Sequence, residues 1–299
     1  MEAPHTPAID AIDMEILMHR DAHFGSNFDV MIEYYEQNGV GSMPDFEVEE
    51  LKRLQNLERD IKENLAELYL PGPAKKIVED SRKLYLTLRE VYSGDVADKT
   101  SILISDLILS EELVPEKEIA ALADQKELAV PPLIHLLSSP SYYEPIFPGY
   151  GRAPIFAAKS LAKIQDERAI PPLFEALGQE NFFTDEEIIY ALRSFGEKAK
   201  SFLIKVLTLE PLSKDNEHAA IALTAFAEDP EVARSALEVL KREETLKRPT
   251  FATYLIFACS DLTRSEDQAA FIALSKESSL PKNLKQEMQL VLKNWKKTT

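Results

Sequence analysis

Two stretches of the chain decide the fold, QKELAVPPLIHLL at residues 125–137 and QDERAIPPLFEAL at residues 165–177. Seven of their thirteen positions are identical at an offset of forty residues. A weaker third copy follows thirty residues later, with Ala199, Leu203 and Leu207 at the repeated alanine and leucine positions. Self-similarity at a regular spacing predicts a protein built from stacked repeats.

The segments around these copies show the periodicity of amphipathic helices, and helix-breaking residues such as Gly and Pro fall between the segments. Small or apolar pairs recur at intervals of about one repeat in the first helices of the hairpins, at Ala157-Ala158, Ile188-Ile189 and Ala219-Ala220. The paired prolines suit a first helical turn, where the missing N–H has no intrahelical partner. We predict five helical hairpins and a final capping helix that begins at Leu280. The hairpins cover residues 114–138, 153–178, 184–208, 215–242 and 249–277.

This pattern resembles the HEAT-repeat superfamily, specifically HEAT-like repeats of the PBS-lyase type. The resemblance rests on the alanine-rich first helix, the Asp/Lys-Glu-x-Ala turn and the Ile/Val-Pro-Pro-Leu second helix, and it covers residues 114–276. It implies an all-α fold, an α-α superhelix or HEAT-like solenoid, and a surface that holds other macromolecules. It does not specify one function, because the same repeats serve scaffolds and several kinds of enzyme.

The first hundred residues follow a different pattern. A leucine-rich stripe predicts a long helix from Pro44 that stops at Pro71-Gly72-Pro73, and a second amphipathic helix follows it. We expect the two helices to form a long antiparallel hairpin. The predicted domains are therefore an N-terminal helical region, residues 1–100, and a repeat solenoid with its cap, residues 101–299.

The chain is acidic, with 34 basic and 51 acidic residues and a net charge of −17. Such a surface repels nucleic-acid phosphates and anionic lipid, so we expect neither nucleic acid nor membrane as a partner. The single cysteine, Cys259, cannot form a disulfide within the chain, which favours a reducing compartment. The first residues lack a signal-peptide pattern, and we expect a cytoplasmic protein.

The connection at residues 138–152 is longer than a hairpin needs. It concentrates aromatic residues beside an arginine, and these types are enriched at binding hot spots. One interpretation is a partner-binding loop. The other is a proline-stiffened loop that packs its aromatic side chains onto neighbouring helices. The candidate partner-binding residues are Tyr142, Tyr143, Phe147, Tyr150 and Arg152.

Four residues near the start give the only suggestion of a metal site, Glu15, His19, Asp21 and His23. The two histidines share a helix face, as zinc ligands can. The glutamate does not lie between them, as it does in the His-Glu-x-x-His arrangement, and no cysteine pair assists. We interpret them as a surface or interdomain histidine pair. We expect no metal, no cofactor and no catalytic residue.

The resemblance to HEAT-like repeats also makes three classes of enzyme worth considering. Deoxyhypusine hydroxylases of this type bind iron through His-Glu dipeptides, and the chain has none. Alkylpurine DNA glycosylases use a basic face, which this acidic chain lacks. A phycobilin lyase or another tetrapyrrole-handling enzyme would need basic groups for the propionates, with Arg152 and Arg193 as candidates. Our prediction is a non-catalytic scaffold or adaptor for a protein partner, with the lyase-like enzyme as the alternative.

Overall fold

The computed structural model describes residues 9–37, 45–93, 98–178, 182–278 and 280–298. All regular secondary structure in these ranges is helical, and neighbouring helices pack in pairs, as in an α-α superhelix. The all-α fold class is therefore confirmed. The chain divides into two compact units, Met1–Ile164 and Gln165–Thr299. The predicted division after residue 100 follows the repeat pattern, and it stays a prediction.

The helices are numbered in chain order. Unit 1 contains α1 Ala11–His23, α2 Phe28–Glu36, α3 Val48–Ile61, α4 Leu65–Tyr69, α5 Gly72–Glu90, α6 Lys99–Leu109, α7 Glu116–Asp124, α8 Val130–Ser138 and α9 Ala153–Ile164. Unit 2 contains α10 Ile170–Glu175, α11 Phe182–Ser194, α12 Glu197–Thr208, α13 Lys214–Leu223, α14 Pro230–Leu240, α15 Glu243–Leu246, α16 Pro249–Ala258, α17 Ser265–Ser275 and α18 Lys282–Thr298.

Helix α1 is the centre of the N-terminal part of unit 1. It begins with a capping box, in which the side chains of Asp10 and Asp13 each accept a hydrogen bond from the other residue's backbone N–H. Helices α3, α4 and α5 all pack against it. Ile16 and Leu17 are therefore fully buried, and so is the charged side chain of Arg20.

The structure differs from the long hairpin expected in the first hundred residues. The predicted first helix is two helices, because α3 ends at Lys62, which has a left-handed backbone. Asn64 then caps α4, since its side-chain oxygen accepts hydrogen bonds from the N–H groups of Ala66 and Glu67. The main contact of α5 is with α1. The Asn64 cap competes with a continuous helix, so the leucine stripe does not form one rod.

The predicted repetition is confirmed at the level of local structure. A 3₁₀ turn at Lys126–Leu128 precedes α8, and an equivalent turn at Glu167–Ala169 precedes α10. Both helices carry proline in their first turn. The repeated alanine and first leucine are fully buried in all three copies, at Ala129, Leu133, Ala169, Leu173, Ala199 and Leu203.

Helices in the repeats pack on their neighbours and on the helix two places along the chain. In unit 1, α7 and α8 both pack against α9. In unit 2, α12 packs on α13 and α14, and α14 packs on α16 and α17. Asn216 fixes one connection, because its side-chain N–H₂ donates to the carbonyls of Val206, Leu207 and Leu209 at 3.0 Å each.

A helix, α18, lies where the sequence predicts the capping helix. Helix α18 packs on α16 and α17 and buries Leu284 and Met288 completely. The indole Nε1–H of Trp295 donates to the carbonyl of Ser260 at 2.7 Å, and its ring lies 5.3 Å from that of Phe271. Of the helices in the described ranges, none has the length and apolarity needed to cross a membrane.

A candidate binding pocket in unit 1

A cavity of about 460 Å³ opens in unit 1 beside the end of α1. Its walls come from the C-terminal turn of α1, the second half of α5, and the connections that follow α6 and α8. Pockets of this size suit ligands of drug or short-peptide size. The lining residues are Asp21, Ala22, His23, Gly25, Arg82, Tyr85, Leu86, Arg89, Glu111 and Tyr150.

The backbone around Tyr150 is unusual and places its side chain in this wall. Gly149, Tyr150 and Gly151 have φ values of +88°, +52° and +76°, so three consecutive residues adopt the left-handed region. Only glycine does so without steric cost, which explains the glycine on each side. Non-glycine residues in this region cluster at functional sites, where the surrounding structure holds them.

We expect Gly151→Ala to destabilise the protein more than Gly25→Ala. Both positions have positive φ, so either alanine costs about 1 kcal/mol from the backbone alone. A Cβ on Gly151 would lie 2.8 Å from the carbonyl oxygen of Tyr143, whereas a Cβ on Gly25 meets nothing within 4 Å. The added clash raises the cost at Gly151 to about 2–3 kcal/mol. Denaturant unfolding measures both variants, and equal losses would show that the loop is not tightly packed.

A hydrogen bond and ring contacts join three side chains in the pocket wall. His23 Nδ1 lies 2.8 Å from the hydroxyl of Tyr85, and the hydroxyls of Tyr85 and Tyr150 lie close enough to shift each other's pKa. The His23 ring lies 5.0 Å from the Tyr150 ring and 5.6 Å from the Tyr85 ring, both edge to face. These contacts hold the two hydroxyl groups in fixed positions.

Burial keeps these groups uncharged at neutral pH. Desolvation and, to a smaller extent, nearby His19 lower the pKa of His23 to about 3, against the opposing effect of the Pro145 carbonyl. Burial also raises the pKa of Tyr85 and Tyr150, and the carboxylate of Glu111 adds to both shifts. Efficient proton transfer requires a pKa near the working pH. This cluster is therefore built to offer fixed hydrogen bonds.

The pocket is lined by four charged residues: Asp21 and Arg82 pair with described residues, whereas Arg89 and Glu111 do not. Arg82 donates to the carbonyl of Asp21 at 2.7 Å and to the hydroxyl of Ser26 at 2.5 Å, so its guanidinium is engaged. Arg89 and Glu111 are exposed, and neither makes a hydrogen bond or an ion pair with any residue that the structure describes. Among the residues that the structure describes, the pocket thus offers one cation and one anion without a partner.

The five predicted partner-binding residues have different surroundings. Only Tyr150 lines the pocket. Tyr142 is buried, Phe147 is half-buried, and the hydroxyl of Tyr143 donates to the carbonyl of Leu137 at 2.7 Å. The loop therefore packs its aromatic side chains onto the unit, as the second interpretation expected. Whether any of the five binds a partner stays a prediction.

Arg152 anchors the loop. Its Nη2 donates to the backbone carbonyl of Glu112 at 2.8 Å and to that of Leu113. Its guanidinium also lies 4.8 Å from the ring centre of Phe156. A further tie comes from α5, where the buried hydroxyl of Ser81 donates to the carbonyl of Ile146 at 2.6 Å. These bonds hold the segment that presents Tyr150.

The interpretation of the two histidines as a surface pair is wrong for His19, which is buried, whereas His23 is half-buried. The interdomain alternative depends on the predicted division after residue 100 and stays a prediction. His19 is 1% exposed, and its ring lies 5.2 Å from His23 and 5.4 Å from Phe46. The physical reason is that α1 is enclosed by α3, α4 and α5 within unit 1. Asp21 pairs with Arg20 at 2.7 Å. In the part of the chain that the structure describes, no group of three or more His, Cys, Asp or Glu side chains could hold a metal ion.

Residues 155–179 match the family model of the PBS lyase HEAT-like repeat. The matched segment contains most of α9, the 3₁₀ turn at Glu167–Ala169 and α10, which are the elements that carry the repeated sequence. A comparison with curated proteins found no match. The repeat signature, the all-helical architecture and this match together support a HEAT-like repeat protein.

Proposed function

We propose that the chain is a non-catalytic adaptor of the cytoplasm that binds a protein partner, and that the pocket beside Tyr150 takes part of that partner. The observation that carries the proposal is a pocket with fixed walls and two charges, Arg89 and Glu111, that have no partner among the described residues. HEAT-like repeats commonly mediate protein interaction. A rigid surface suits this role because little conformational entropy is lost on its side of the complex.

The protonation states support binding over catalysis. A general acid or base works best when its pKa lies near the working pH. The pKa of His23 is lowered to about 3, and the pKa of Tyr150 is raised far above its usual value of 10.0, so each holds one protonation state under cellular conditions. Such groups recognise a partner through hydrogen bonds that do not change with pH.

The lyase-like alternative needs basic groups that are available to propionates. Arg152, one of its two candidates, is engaged with backbone carbonyls of Glu112 and Leu113. This engagement favours the adaptor. Mixing the purified protein with a bilin separates the two functions, because the adaptor leaves the visible spectrum of the bilin unchanged. A lyase-like protein would shift that spectrum.

Photo-crosslinking tests the proposed partner site directly. A photo-reactive amino acid at Leu86, which lines the pocket and is 59% exposed, should form a covalent adduct with one protein in the native cells. Leu68 is the matched control, because it is 50% exposed in the same unit but does not line the pocket.

We expect the protein that crosslinks to the photo-reactive residue at position 86 to crosslink much less, or not at all, when that residue is placed at position 68. Equal adducts at both positions would indicate non-specific capture. If Leu86 gave no protein adduct above the level seen without irradiation, the pocket would not be the partner site.

A further inference from the structure

We propose that the pocket recognises a segment of a protein partner that carries an acidic and a basic side chain close together, the acid pairing with Arg89 and the base with Glu111. This inference rests on the proposed function, because it assigns the chemistry of what enters the same pocket. The inference adds that a segment with only one of the two charges does not bind tightly. The reason is the cost of desolvating Arg89 and Glu111, neither of which has a partner in the described part of the chain.

A bound segment covers both charged side chains. Arg89 and Glu111 are exposed and have no described partner, so water solvates both of them in the free protein. A partner that covers the pocket removes part of this water. A charge that loses solvent without gaining a partner is costly, and that cost rejects a segment with only one charge. A segment with both charges gives a partner of opposite charge to Arg89 and to Glu111.

The rest of the lining distinguishes the two ends of the segment. Glu111 lies close enough to the tyrosines to affect the pKa of Tyr34, Tyr85 and Tyr150. A cation held by Glu111 would therefore lie near phenol rings, whose faces attract positive charge. At the other wall, Arg82 is engaged by Asp21 and Ser26, which leaves Arg89 as the guanidinium for a carboxylate.

The electrostatic balance of the chain supports the same requirement. The net charge of −17 disfavours a purely acidic segment at long range. A purely basic segment would be attracted, but it would meet Arg89 at the pocket. Among charged segments, only one with both signs avoids a like-charge contact with Arg89 and with Glu111.

The test uses the full chain and blocked peptides in calorimetric titration. The probes are acetylated and amidated alanine-rich peptides that carry one Glu and one Lys with zero, one or two alanines between them. Their controls replace Glu by Gln, Lys by Met, or both. We expect at least one spacing to bind and each neutral replacement to weaken it about tenfold.

Two variants assign each charge to its partner. Arg89→Gln should weaken the Glu/Lys peptide about tenfold and make the chain insensitive to the Glu-to-Gln change in the peptide. Glu111→Gln should do the same for the Lys-to-Met change. Glu112→Gln is the matched control, because Glu112 is an exposed neighbour that does not line the pocket. The Glu112→Gln variant should bind the Glu/Lys peptide with the affinity of the wild-type protein.

Two results would overturn the inference. One is that the doubly neutral peptide, or a peptide with one charge, binds as tightly as the Glu/Lys peptide. The other is that no probe binds at concentrations up to about 10 mM. Circular dichroism checks that Arg89→Gln and Glu111→Gln remain folded, as the absence of described partners for both side chains predicts. If the peptides fail while the Leu86 crosslink persists, the mixed-charge inference is wrong and the proposed partner site stands.

Discussion

Unit 1 should lose about 4 kcal/mol of unfolding free energy between about pH 8 and pH 5, because it buries two neutral histidines. Burial lowers the pKa of His19 to about 4 and that of His23 to about 3 from a usual value of 6.5. At pH 5 the unfolded chain therefore binds protons that the folded chain does not. Stability is fully present above pH 6.5 and falls as the pH drops, by about 2 kcal/mol per histidine at pH 5.

Denaturant unfolding across this range measures the effect. His19→Leu should remove about half of the loss between pH 8 and pH 5, since one titrating group remains. The Nδ1 atom of His19 is buried and has no hydrogen-bond partner among the residues described, so an apolar replacement leaves no new polar group unsatisfied there. A wild-type stability that does not change over this range would show that the histidines are solvated.

Arg20→Met should destabilise unit 1 by about 3–5 kcal/mol, because it breaks a buried charge network. The Arg20 side chain is fully buried, and its guanidinium lies 4.5 Å from the ring centre of Phe28. It donates to Glu58 at 2.6 Å, to Asn64 at 3.1 Å and to Asp21 at 2.8 Å. One side chain thus connects α1 to the end of α3 and to the cap of α4.

Arg59→Met is the matched control for Arg20→Met. Arg59 pairs with Asp29 at 3.0 Å, but both side chains are well exposed, so its loss should cost less than about 1 kcal/mol. Chemical denaturation of the two variants beside wild type provides the measurement. A loss at Arg20 no larger than that at Arg59 would contradict the role of Arg20 in joining these helices.

The repeats could be predicted from the sequence because their information is local. Residues 125–137 and 165–177 share sequence and form the same turn followed by the same helix. The arrangement of the first hundred residues could not be predicted in this way. It depends on contacts between positions far apart in the chain, such as Arg20 with Glu58, and the helical period of a leucine stripe does not reveal them.

The candidate pocket was visible in the sequence only in part. The aromatic loop stood out because it interrupts the repeats, and Tyr150 does line the cavity. Its neighbours Tyr85 and Arg89 come from α5, about sixty residues earlier, where they are ordinary members of an amphipathic helix. His23 was noticed as a potential metal ligand. Its part in the pocket wall requires the tertiary approach of α1, α5 and the loop.

The most direct test of the central claim is the affinity of the crosslinked partner, once purified, for wild-type protein and for Arg89→Glu. We expect this charge reversal to weaken binding about a hundredfold, because a carboxylate would then replace the guanidinium that pairs with the acid of the partner. Arg59→Glu, a reversal elsewhere in unit 1, should leave the dissociation constant unchanged. Equal affinities for wild type and Arg89→Glu would contradict the claim that the partner enters the pocket beside Tyr150.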